Sequence, residues 1–190
     1  ASDPHGLATA TGELGIVMME RGDAAEACRL YRRAIEIARA IGNRRGIALN
    51  LLNLGNAEYV QGRVGAALRA YTEAAAGFEV LGDRRAAAFL RANAAFVRFS
   101  ILGDVSAEND TMAALEFFTA EEHLWGAAFC HEHLAAMALR RDDVDEASAH
   151  VAAGLELSEK ADNRWVEAHL RRTAAEVALA EHDPDRAVAQ

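Results

Sequence analysis

Along this chain apolar residues recur with the 3.6-residue period of one helix face, and the pattern breaks at short polar joints. One such segment runs from Ile47 to Gln61 and stops at Gly62; the next runs from Val64 to Leu81 and stops at Gly82. Glycine in those places suits the left-handed residue that commonly follows a helix C-terminus. Gly22 and Gly42 punctuate the preceding stretch in the same way. Asp3-Pro4 and Asp183-Pro184 each put a capping acceptor before a proline at the first helical position. No run of alternating β-branched residues and no Asn-Gly hairpin signal interrupts the pattern, so the predicted fold class is all-α.

The joints repeat. Ile41 to Asn56 reads IGNRRGIALNLLNLGN and Leu81 to Phe96 reads LGDRRAAAFLRANAAF, one design at an offset of 40 residues. Blocks beginning at Gly6, Gly46, Ala86, Gly126 and Val166 align without gaps. Ala8, Ala48, Ala88, Ala128 and Ala168 form one column; Leu14, Leu54, Ala94, Leu134 and Ala174 form a second; Ala27, Ala67, Ala107, Ala147 and Ala187 form a third. Small residues at fixed helical places let neighbouring backbones approach, which stacked helix pairs require. The chain therefore reads as a single repeat domain over 1–190, with units 6–45, 46–85, 86–125, 126–165 and a partial unit 166–190. Each complete unit is an antiparallel helix hairpin, and the stack is an α-solenoid. In the third unit Gly103 arrives one residue late and SAEND opens the second helix, which predicts a local bulge or an altered hairpin angle. The fifth block stops about one turn into its second helix, which suggests a piece of a longer protein with an open apolar end around Ala174, Val177 and Ala178.

These features resemble the tetratricopeptide repeat family. The resemblance rests on Leu14-Gly15 and Leu54-Gly55, on Ala27 and Ala67, on Tyr31 and Tyr71, and on Ala34 and Ala74, in the family's order and spacing. The family's proline near the end of the second helix is absent, and the period is 40 rather than 34. This is similar to the long-helix variety found in adaptors and in sensor arms of bacterial signalling ATPases and transcription regulators. The resemblance implies a right-handed superhelix whose first helices line a concave face.

Carrying the family's inward positions onto this chain selects Thr9, Gly12, Ile16 and Met19, then Leu49, Leu52, Asn56 and Tyr59. It next selects Phe89, Ala92, Phe96 and Phe99, then Phe129, Glu132, Ala136 and Leu139. Four of the seven phenylalanines fall on that face. They either wall a groove for an amphipathic helix or extended peptide, or pack between the helices as core. Asn56 and Asn93 stand where peptide-binding members of the family grip a ligand's backbone or terminal carboxylate. Each amide could equally bond to its own helix backbone. Leu52, Phe129 and His133 replace the basic residues of carboxylate-clamping members, which argues against that mode of recognition.

Charge narrows the partners. Residues 1–85 hold 11 Arg and 10 Asp or Glu, a balance of +1, whereas 86–190 hold 9 Lys or Arg and 19 Asp or Glu, a balance of −10. The second half would repel a phosphate backbone, so no nucleic acid is expected as partner of this domain. No apolar run is long enough to span a bilayer, and no membrane or targeting signal is read. Cys28 and Cys130 lack a CxxC pattern and suggest a reducing, cytoplasmic setting.

Site chemistry is sparse. HLWGAAFCHEH gathers His123, Cys130, His131 and His133, but residues two apart on a helix diverge by about 200°. No metal, cofactor or catalytic group is therefore expected, and phosphate loops and GxSxG elbows are absent. The leading reading is a noncatalytic protein- or peptide-binding module, with self-association through the open C-terminal end. The alternative is an effector-sensing arm of a transcription regulator that takes a small molecule or short peptide.

Overall fold

The computed structural model describes residues 3–181. Among them are nine helices and no strand. These are α1 (Pro4–Glu20), α2 (Ala24–Ala40), α3 (Arg44–Val60), α4 (Val64–Val80), α5 (Arg84–Leu102), α6 (Ala107–Ala120), α7 (Leu124–Arg140), α8 (Val144–Lys160) and α9 (Arg164–Glu181). The expected cap at Asp183-Pro184 and the column position Ala187 lie outside the described residues.

Each joint is built from two residues. The first takes a left-handed conformation and the second caps the next helix, except before α4, where Arg63 makes no side-chain cap bond, and before α6, whose N-cap is Ser106. At the first joint Gly22 has φ +80, its N–H donates to the Met19 carbonyl at 3.0 Å, and the Asp23 N–H donates to Met18 O at 2.9 Å. This closes the carbonyls that α1 leaves open. The Asp23 carboxylate then accepts from Glu26 N at 3.0 Å, and the equivalents Asn43, Asp83, His123, Asp143 and Asn163 accept from the amide three residues on. Asp3 caps α1 by accepting from His5 N at 3.1 Å. Later joints dispense with glycine. Glu122, Asp142 and Asp162 occupy the left-handed position at φ 51, 65 and 49. The late Gly103 leaves α5 at 19 residues and α6 at 14, where the other helices have 17 or 18.

The chain divides at that irregularity into two compact units, Ala1–Ile101 and Leu102–Gln190. In the first, α1 packs on α2, α2 on α3 and α3 on α4, and α1 also meets α3. Helix α5 joins the same core through Ala87, Leu90 and Val97. In the second, α6 packs on α7, α7 on α8 and α8 on α9, and α7 meets α9. Helix hairpins thus stack in chain order within each unit, as in a tetratricopeptide-type solenoid. The column alanines Ala27, Ala67, Ala107 and Ala147 are fully buried.

Burial follows the columns, with a telling exception in α1. Leu54 and Leu134 are 9% and 2% exposed, and Leu14 in the same column is 46% exposed. Val17 is likewise exposed where Ala57, Val97, Met137 and Val177 are buried. In α3 and α9 this column lies against the hairpin before it; among the described residues nothing covers it in α1. At the other end Val177 is buried in a cluster with Ala135, Val144 and Val151, and Ala174 packs against it. Of the three residues expected at the open end, Ala178 is exposed and Val177 is not, because α8 covers the side that Val177 occupies; Leu179, with Trp165 near the helix start, adds to the exposed apolar surface of α9.

Candidate functional site

In the first unit a cleft of about 220 Å³ opens between α1 and α3, lined by Ala8, Thr9, Gly12, Glu13, Asn43, Gly46, Leu49, Asn50 and Asn53. Gly12 creates the room, since a Cβ there would lie 2.5 Å from the Asn50 Oδ1. Asn50 is oriented by donating from Nδ2 to Gly46 O at 2.8 Å, and Asn43 by accepting from Gly46 N at 2.9 Å. The cleft thereby presents side-chain amides, a hydroxyl and the Glu13 carboxylate above an aliphatic floor. Amides donate and accept at once, which matches the alternating groups of an extended backbone.

The groove residues selected from the sequence fall into three groups. Leu49 lines this cleft and is exposed, and Asn56 is exposed as well. Leu52 and Tyr59 are half-buried against the core of the first unit. On α5, Phe89, Asn93 and Phe96 are half-buried. Phe99, Phe129 and Glu132 are buried, so the expectation of an open wall at these three positions is corrected. For Phe129 the reason is that α9 lies over α7 and sets Trp165 against its ring. Both expected backbone grips are engaged internally. The Tyr71 hydroxyl donates to Asn56 Oδ1 at 2.8 Å, and Asn93 Nδ2 donates to Phe89 O at 3.2 Å.

Sequence reasoning missed Asn50 and Asn53, which lie one position from the columns it chose. The signal was present in three asparagines, 43, 50 and 53, within one joint and the helix after it. It also stopped one block early in the second unit. The same columns continue into α9 as Trp165, His169 and Arg172; there Trp165 stacks on Phe129 of α7, His169 lies against Trp165, and Arg172 stands 3.6 Å from Glu132.

Other reactive groups are accounted for by packing. Cys28 and Cys130 are free and buried. Burial, aided by the Glu58 charge, pushes the Cys28 thiol up, and burial pushes Cys130 up to about 12, so neither is a ready thiolate. Cys28 Sγ accepts from Gln61 Nε2 at 3.1 Å. The buried Glu58 carboxylate is clasped by Arg32 from α2 and by Arg63 from the joint after α3. His131 and His150 face each other with Nδ1 atoms 2.9 Å apart. Among the described residues no three His, Cys, Asp or Glu side chains gather as a metal-binding group, and no helix is long and apolar enough to cross a membrane.

Stacked hairpins with a polar cleft between successive first helices define a helical-repeat scaffold. The family model for the tetratricopeptide repeat matches residues 6–97, so that stretch carries tetratricopeptide repeats, a family of protein-interaction modules. Among solved structures it is similar to the crystal structure of BtubC (BKLC) from P. vanneervenii, with 20% identity, a TM-score of 0.68, and coverage of 97% of this chain and 79% of that one. At that identity the likeness is one of fold. No curated protein sequence matches.

Proposed function

We propose that this chain is a noncatalytic module that binds an extended peptide of a partner protein along the first-helix face, within a cytoplasmic signalling or regulatory protein. The observation that carries the reading is the amide-lined cleft between α1 and α3, where Gly12 leaves space and Asn50 and Asn53 supply paired donors and acceptors. Leu49, exposed at the rim, gives an apolar anchor beside them. Exposed Asn56 of α3 and the half-buried Phe89, Asn93 and Phe96 of α5 extend the face within the same unit. Self-association through Leu179 of α9 is a second, weaker use of exposed apolar surface.

The test is selection from a displayed library of random 12-residue peptides against the purified protein, followed by affinity measurement on Asn50→Ala, Asn53→Ala and Gly12→Val. Loss of tenfold or more in affinity, with melting temperature held, supports the cleft. Peptides that bind all three variants like the parent would place recognition elsewhere. Enrichment of no peptide, together with a small molecule that melts out at higher temperature, would favour the effector-sensing alternative.

A further inference from the structure

On the second unit, α7 and α9 present a line of rings that ends at a buried carboxylate. Positions 125, 129 and 132 of α7 share repeat columns with 165, 169 and 172 of α9, which pairs Phe129 with His169 and Glu132 with Arg172 across the two helices. The Trp165 ring stacks on Phe129 with centroids 6.3 Å apart and planes at 24°, and lies 4.2 Å from His169. Trp165 is 56% exposed although it is the largest apolar side chain on its helix. A core would bury it; a recognition surface would leave it open.

Glu132 is short of close cations. Arg172 Nη2 stands 3.6 Å from one carboxylate oxygen and His133 Nε2 3.7 Å from the other, both beyond hydrogen-bond length. Arg172 makes its closer bond, 2.8 Å, to Glu176, and its side chain is largely in solvent. The guanidinium of Arg172 thus marks a route by which a cation from outside reaches a buried carboxylate. Burial, with the Glu176 charge, holds the Glu132 carboxyl above its ordinary range despite His169, Arg172 and a hydrogen bond with Thr173, so a better-seated cation would relieve it. The surroundings favour such a ligand. Residues 102–190 hold 7 Lys or Arg against 19 Asp or Glu, a balance of −12.

We propose that this face takes a basic side chain, arginine or lysine, of a partner peptide, with its charged head on Glu132 and its stem against the rings of Trp165 and His169. A guanidinium gains from both surfaces, by a charge-assisted bond and by stacking on an aromatic face. Arg172 is an internal competitor for the same place, and the partner's cation displaces it towards Glu176. The inference rests on the reading that first-helix faces bind peptide, and it names the chemistry of the partner at this unit.

The experiment titrates hexa-arginine amide into the purified chain at physiological salt, with hexa-lysine and hexa-glutamate as parallel arms. Calorimetry gives the affinity, and fluorescence in a Trp125→Phe background makes Trp165 the sole reporter. Hexa-arginine is expected to bind and to change Trp165 emission. Its affinity should fall at least tenfold in Glu132→Gln and in Trp165→Ala, and should rise several-fold in Arg172→Ala. A control with two exposed acids on α8 removed, Glu156→Gln with Glu159→Gln, should change it less than twofold. Glu132→Gln removes a buried charge with little change in volume, and its melting curve is recorded to check that the fold is kept. Absence of binding, or equal losses in the α8 control and in Glu132→Gln, overturns the proposal. So does binding of hexa-glutamate that Arg172→Ala abolishes. Peptides selected on the α1–α3 cleft are titrated into the same variants, and their unchanged binding separates failure here from failure of the peptide-binding reading.

Discussion

Tyr71 lies across Gly55 so closely that a methyl group on Gly55 would come within 2.5 Å of the ring, and Tyr31 stands to Gly15 in the same way at 2.6 Å. The Leu-Gly pairs and the tyrosines are thus one device, a ring of α2 or α4 seated on the bare backbone of α1 or α3. Gly55→Ala is expected to cost about 1–3 kcal/mol, the usual range for forcing an extra carbon into a packed site. Gly55→Ala combined with Tyr71→Val, the pairing that Ala135 and Val151 use in the second unit, should recover part of that loss. Chemical denaturation of the single and double variants measures both.

Glu58 shows how burial decides which half of an ion pair matters. Its side chain is almost wholly enclosed, whereas Arg32 and Arg63 are each about half exposed. Removing the acid frees two arginines that water can solvate, so Glu58→Gln should cost roughly 1 kcal/mol. Removing both arginines strands a buried charge, and Arg32→Ala with Arg63→Ala should cost on the order of 3–5 kcal/mol. Urea titration at neutral pH that ranked them the other way would disprove this account.

The joints of the second unit carry removable strain. Glu122 adopts φ 51 with a side chain that cannot bond locally as aspartate can, so Glu122→Gly should stabilise by about 1 kcal/mol. Asp142→Gly and Asp162→Gly should gain less. Melting temperatures of the three variants test the order.

Two neighbours on α7 pull the pH dependence in opposite directions. Burial, with the adjacent His150, lowers His131 to about 4 from an ordinary 6.5. The unfolded chain therefore binds this proton first, and stability falls as pH drops from about 6.5 to about 4. Partial exposure limits the effect to on the order of 1–2 kcal/mol. His150 is itself held low by burial, against the pull of Glu146 and Glu108 towards higher values and with Arg141 adding to the lowering. Glu132 is raised, so its contribution is complete below the ordinary glutamate range and is lost as pH climbs through its folded value. Melts between pH 4 and 7 should flatten in His131→Gln and rise at neutral pH in Glu132→Gln.

The hairpins were legible because their evidence is periodic. Glycine or aspartate at one joint is a guess, but the same joint every 40 residues is a constraint. The site was less legible because facing is an angular property. A helix turns about 100° per residue, so an inward column carried over from a family and shifted by one position exchanges Asn53 for Leu52. The placement of Phe129 failed for a different reason: α9 covers part of the α7 face, and a column read one helix at a time shows no neighbour. The exposed Trp165 and the buried Glu132 depend on that same overlap.

The bare column of α1 sets a gradient of opening along the first unit. Among the described residues Leu14 and Val17 are exposed where Leu54 and Ala57 are buried, and α1 packs on α2 and α3 whereas α3 packs on α1, α2 and α4. In a stack whose parts stabilise only their neighbours, the helix with fewer neighbours opens first. Amide protons of α1 should exchange with solvent well before those of α3, at a cost far below that of global unfolding. The cleft that α1 shares with α3 would then come and go with that opening, and a ligand bound in it would be read as slowed exchange in α1 before any change is seen elsewhere.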